Sequence, residues 1–150
     1  MRPIVLLGSR VRGKMDGPIA DQFSNICTAL GASCMLIRTD DVIGQITSLL
    51  SEPDNGIVLV VANTVAAGEL NASIASALPS DLHRIQIVCA AINPMHAPLP
   101  YSLRAVPLDQ VPQAVAAAIG TLQRNMGAVA AGTEMPAATG AAGTEMPPAA

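Results

Sequence analysis

Apolar residues along this chain fall into short continuous runs, separated by stretches in which they recur every third or fourth position. The runs are "PIVLLG" (3–8), "SCMLIR" (33–38), "IVLVVA" (57–62), "IQIVCAAI" (85–92) and the shorter "SLRAV" (102–106). A short apolar run without alternation is what a strand buried on both faces requires. Between the runs, Ile19, Phe23, Ile26, Cys27 and Leu30 make one stripe and predict a helix. Gly17 is its expected cap, Pro18 its first helical residue and Gly31 its left-handed stop. Asp40 or Asp41 caps a second helix with Ile43, Ile46, Leu49 and Leu50 inward, closed by the turn "PDNG" (53–56). "AAGELNASIASAL" (66–78) predicts a third, with Leu70, Ile74, Ala77 and Leu78 inward and Pro79 ending it. The last is expected to follow Asp109 as its cap, with Val111, Val115, Ile119, Leu122 and Met126 at helical spacing.

Strands that alternate with helices need crossover connections, hence a parallel sheet covered by helices on both faces. Five such strands predict a doubly wound, flavodoxin-like α/β domain of strand order 2-1-3-4-5 over residues 1–127. Residues 128–150 change character: "AAGTEMP" occurs at 130–136 and again, letter for letter, at 141–147. A tail of Ala, Gly, Thr and Pro has little to bury and is expected to be disordered. It serves either as a linker or as a duplicated docking peptide for a protein partner, two weak copies gaining avidity through effective concentration.

Composition narrows the chemistry. Hydrophobic residues make up 51% of the chain and mean hydropathy is +0.45, yet there is one Phe, one Tyr and no Trp. The core must be aliphatic, with few platforms for stacking a ring. A net charge of −3 argues against a nucleic-acid partner, which needs a basic face. Three of the eight basic residues (Arg10, Arg12, Lys14) nevertheless crowd into five positions. Cys27, Cys34 and Cys89 lack the spacing of a zinc site or a disulfide framework, and Cys27 and Cys89 fall on apolar faces as small hydrophobes. No stretch reaches the roughly 18 apolar residues of a membrane span, and the N-terminal apolar stretch is too short for a signal peptide. The expected location is cytoplasmic, with no membrane partner.

In open parallel sheets, ligands bind beyond the carboxyl ends of the strands where the strand order reverses. Here that crevice lies between the first and third strands, walled by residues 8–17 and 62–68 and overhung by 91–101. "GSRVRGKM" (8–15) comes one residue short of a P-loop. Met15 stands where a magnesium-binding hydroxyl is needed, and the third strand has no acidic end, which argues against a nucleoside triphosphatase. His83 reads as a surface turn residue. His96 in the loop "NPMHAPLP" is a candidate acid or base, Tyr101 a candidate ring cover, and Asp40-Asp41 a candidate ribose contact.

"LLGSRVRGKMDGPIADQF" followed by "LGASCMLIRTDD" resembles the start of the NADPH-dependent FMN reductases of flavodoxin-like fold. In that family a Gly-Ser-x-Arg-x-Gly loop wraps the FMN phosphate. The resemblance implies FMN as cofactor, NAD(P)H oxidoreduction and a homo-oligomer. It assigns the phosphate to Gly8, Ser9, Arg10, Arg12 and Gly13, with Lys14 as a supporting cation and the helix N-terminus adding a favourable field. Asn63 and Thr64 fall on the facing loop, where "ANTVAAGELN" keeps only Asn63 and Gly68 of what the family places there. Core length and "VPLDQVPQAVAAAI" are also similar to a response-regulator receiver domain. Gly8-Ser9 and Ala62-Asn63 occupy that family's acidic and phosphorylated positions, so this resemblance implies a non-catalytic interaction module.

Overall fold

The computed structural model describes residues 1–38, 40–62, 64–91 and 105–130. Five strands, β1 (Arg2–Leu7), β2 (Ser33–Leu36), β3 (Asn55–Val61), β4 (Ile85–Ala91) and β5 (Ala105–Pro107), form one sheet of order β2-β1-β3-β4-β5. All neighbours are parallel. Five helices accompany them: α1 (Ser9–Lys14), α2 (Gly17–Ala29), α3 (Val42–Leu50), α4 (Thr64–Ala77) and α5 (Val111–Ala130). Single 3-10 segments at Pro79–Arg84 and Leu108–Gln110 lead into β4 and α5. This is the doubly wound, flavodoxin-like α/β arrangement that the alternation of runs and stripes predicts.

Alternation along the strands sorts the core into two layers. Val5, Leu7, Val58, Val60, Val88 and Ala90 face Phe23 and Cys27 of α2 and Val115, Ile119 and Leu122 of α5. Ile4, Leu6, Ile57, Leu59 and Ile85 face Ile46 and Leu50 of α3 and Ile74 of α4. β3 is buried along its whole length, as a central strand must be. β2 is the opposite: every one of its residues is exposed, with Met35 at 38% and Leu36 at 44%. It is an edge strand, and no other described strand covers its outer side.

Local chemistry sets the boundaries. α2 starts one residue earlier than expected: Asp16, not Gly17, is the cap, its carboxylate accepting from the Ile19 amide at 3.4 Å. A carboxylate satisfies a free first-turn amide, which a glycine cannot. At the other end Gly31 has φ +67°, the Ala32 amide donates to Cys27 O at 2.8 Å, and that of Gly31 donates to Thr28 O at 3.2 Å. This is a Schellman closure, as the glycine predicts. Of the two aspartates before α3, Asp41 caps it, bonding the Gly44 amide at 3.0 Å.

Other expectations need correction. Leu30 is exposed (37%), lying past the end of the α2 stripe. Ala77 is exposed as well, because the last turn of α4 rotates it off the face that buries Ile74. The "PDNG" turn is shorter than expected, because Asn55 and Gly56 already pair with Arg2 and Pro3 in the sheet. Asp109 lies inside the 3-10 turn before α5 and does not stand alone as its cap. α5 continues to Ala130, three residues past the expected domain boundary. Residues 102–104 of the fifth run, the loop carrying His96 and Tyr101, and the repeated tail from residue 131 lie outside the described residues.

The amino edge of the sheet is locked by Arg84, a buried cation at the start of β4. Its Nε–H donates to Asn55 O at 3.1 Å, one terminal nitrogen donates to Glu52 O, and the other meets Asp81 Oδ1 at 3.3 Å. Asn55 in turn donates its side-chain amide to Leu49 O at 2.8 Å. The turn before β3, the end of α3 and the entry to β4 are thereby tied together.

Candidate functional site

The crevice at the carboxyl edges of β1 and β3 is built by two chain reversals. Leu7 pairs with Val60, so Gly8 leaves the sheet directly beside the end of β3. Its amide donates to Val60 O at 2.8 Å. A Cβ at position 8 would stand 3.1 Å from that same oxygen, so the close approach requires glycine. Backbone strain plays no part, since φ is −64°. Gly8→Ala must push α1 and β3 apart and is expected to cost ~1 kcal/mol, read as a lower urea midpoint at constant slope.

The stretch after Gly8 is not a wrapping loop. Ser9–Lys14 is a helix of 6 residues, its first hydrogen bond running from the Arg12 amide to Gly8 O at 3.0 Å. Val11 is fully buried, and Met15 packs against the same core cluster. These two, four apart in an otherwise polar stretch, are the signal in "GSRVRGKM" that a loop reading passes over.

Helical geometry then divides the cations. Arg10 and Lys14, also four apart, are neighbours on one flank of α1. Arg12 leaves from the other flank, where its charge acts on the Cys34 thiol of β2. Ser9, Arg10, Arg12, Gly13 and Lys14 are all exposed. None has a carboxylate partner, because the only ion pair among the described residues is Arg84–Asp81.

Across the crevice, α4 begins at Thr64, so its first-turn amides, which have no acceptor within the helix, lie at the same edge of the sheet. Asn63 lies outside the described residues. The N-terminus of α2, the next helix along the chain, is taken by the Asp16 carboxylate, which would repel a second anion there. The favourable helix field implied by the FMN-reductase resemblance therefore does not come from α2.

No known protein family, curated protein or solved structure matches the chain. The site must therefore be argued from its own geometry. What this edge offers a ligand is cationic: Arg10 and Lys14 stand adjacent on one flank of α1, whose start Gly8 holds close to β3. A flavin ring finds less. Phe23 is buried beneath α2, Tyr101 lies outside the described residues, and no described aromatic residue stands at this edge.

The remaining candidates are dispersed. His83 sits in the 3-10 segment before β4, at the opposite end of that strand from the crevice. It is half-buried instead of fully on the surface, and burial together with the Arg84 charge lowers its pKa, against a smaller opposing effect of Asp81. Asp40 is exposed and Asp41 is occupied in capping α3. Among the described residues, no three His, Cys, Asp or Glu side chains gather in a way that could hold a metal. None of their helices is long and apolar enough to cross a membrane.

Proposed function

We propose that this chain binds a phosphorylated small molecule at the carboxyl edge of β1 and β3, with Arg10 and Lys14 as the phosphate partners. One observation carries the reading: two like charges stand a helical turn apart on a helix of 6 residues, with no anionic side chain among the described residues paired to either. Such a pair destabilises a helix by a few tenths of a kcal/mol, and an anion between them reverses the sign. Ser9 contributes its hydroxyl on the same short helix, the Gly8 amide and carbonyl being already bonded to Val60 and Arg12, and α4, which begins at Thr64, forms the facing wall. A flavin or nucleotide is the ligand class to test first. FMN-dependent NAD(P)H oxidoreduction would follow from retained flavin, and the scarcity of aromatic side chains weighs against it.

The test is titration of FMN and, separately, inorganic phosphate against the protein and its Arg10→Ala/Lys14→Ala variant. Losing two charge-assisted contacts is expected to weaken binding by about 10- to 100-fold. Arg12→Ala, on the other flank, should lose far less. Equal affinity in the double variant and the parent removes α1 from the site. Phosphate binding without flavin retention keeps the site and discards the reductase.

A second reading, a non-catalytic interaction module, is favoured by exposed apolar side chains on and before the edge strand: Leu30, Met35 and Leu36. Its occupant would be a second copy of this chain. Light scattering of the full chain beside Met35→Lys distinguishes the cases: a dimer that the lysine disperses supports it, and a monomer in both removes it.

A further inference from the structure

Two of the three cysteines are brought to the same face at the same level of the sheet. Cys27 lies in the last turns of α2, its carbonyl held by the Ala32 amide at 2.8 Å. Ala32 packs into the cluster that contains Cys27, so the chain re-enters the sheet with that side turned toward α2. Cys34 is two residues further on and therefore points the same way. Its register partner Val5 belongs to that cluster too, which fixes the face independently. α2 descends while β2 ascends, so the short Schellman turn at Gly31 returns Cys34 toward the level of Cys27, close enough for Cys34 to act on the Cys27 thiol. Cys89 is fully buried on the opposite face of the sheet, with Val61 and Ala67.

We propose that Cys27 and Cys34 form a redox-sensitive pair, closing to an intramolecular disulfide that staples the exposed edge strand β2 to α2. All three cysteines are free thiols in this structure. Cys34 is exposed and takes the first step: its thiolate attacks one sulfur of a low-molecular-weight disulfide such as oxidised glutathione, releasing one thiolate. Cys27, losing its proton, then attacks the Cys34 sulfur and displaces the second thiolate. Two protein thiols are oxidised to one disulfide, and one small disulfide is reduced to two thiols that take up the two protons.

Electrostatics set the order of these steps. Burial raises the Cys34 thiol above its ordinary value, and the nearby Arg12 guanidinium pulls it back in part. Burial and then the neighbouring Cys34 push Cys27 up to about 11. Closure is accordingly slow at neutral pH and accelerates as pH rises, because the thiolate is the reacting form.

The experiment is incubation of the full chain with oxidised glutathione, followed by alkylation of the remaining thiols and mass measurement. Trypsin leaves both cysteines in the single peptide 15–38, between Lys14 and Arg38, and Cys89 in another. The expected product is a monomer with only Cys89 alkylated and peptide 15–38 lighter by ~2 Da, reversed by dithiothreitol. With Cys27→Ala, reaction is expected to stop at a glutathione adduct on Cys34. With Cys34→Ser, Cys27 is expected to stay reduced. In the parent chain, a persistent adduct on Cys34 beside a free Cys27, or a dimer linked through Cys34, overturns the proposal.

Discussion

Replacing Arg84 by methionine is expected to lower the unfolding free energy by ~3 kcal/mol. Methionine keeps most of the apolar stem, so the change isolates the guanidinium. That group is the only one binding Glu52 O, Asn55 O and Asp81 at once, and it does so from a buried position. Without it, the Asn55 carbonyl loses a partner inside the protein, and the turn before β3 is no longer tied to β4. Lysine at 84 should recover less than half, because a single ammonium cannot point along three divergent directions. Asp81→Ala should cost under ~1 kcal/mol, since that carboxylate is 31% exposed and the bonds to the two carbonyls survive. The readout is urea unfolding by circular dichroism, with the midpoint shifting and the slope unchanged. A loss within ~0.5 kcal/mol of zero for Arg84→Met would show that the amino edge is held by packing alone.

Arg84 also marks where sequence reading reaches its limit. Its partners Glu52 and Asn55 are 32 and 29 residues away, and nothing local in "DLHRIQ" distinguishes a structural arginine from a solvated one. Strand order was legible because it follows from the alternation of buried runs with helical stripes, and β3 and α5 carry those patterns without interruption. β2 misleads for a physical reason. "SCMLIR" has the composition of a buried strand, but an edge position is a property of topology, and every residue of β2 is exposed. The cap of α2 was misplaced by one residue, because Asp16 offers a carboxylate acceptor that Gly17 lacks.

The candidate site divides in the same way. Gly8 was legible as the glycine that ends the first buried run, and the structure adds its close approach to Val60 O. The grouping of the cations was not, because it depends on the backbone between them. In an extended loop, Arg10 and Arg12 would share a side; on a helix, the pair is Arg10 and Lys14. Val11 and Met15 decide between the two by burying the spacing of one helical turn.

That dependence gives the second large prediction. A helix of 6 residues is far below the length at which isolated helices persist in water, so α1 exists because Val11 docks it on the core. Val11→Asp puts a carboxylate into that apolar contact, at a cost of several kcal/mol if it stayed buried. Detaching α1 is the cheaper outcome, so the global loss should level off at ~2–4 kcal/mol. Val11→Ala, which leaves only a small cavity, should cost ~1–2 kcal/mol and keep the helix in place. In Val11→Asp the Arg12 amide, which donates to Gly8 O, should lose its protection in hydrogen exchange while β3 amides keep theirs. Phosphate affinity should then fall as far as in Arg10→Ala/Lys14→Ala, although both cations are still present, because their spacing is gone. Val11→Ala should bind phosphate as the parent does. If Val11→Asp exposes the α1 amides and still binds phosphate with parental affinity, the cations act without the helix, and the ligand must be held elsewhere on the carboxyl edge.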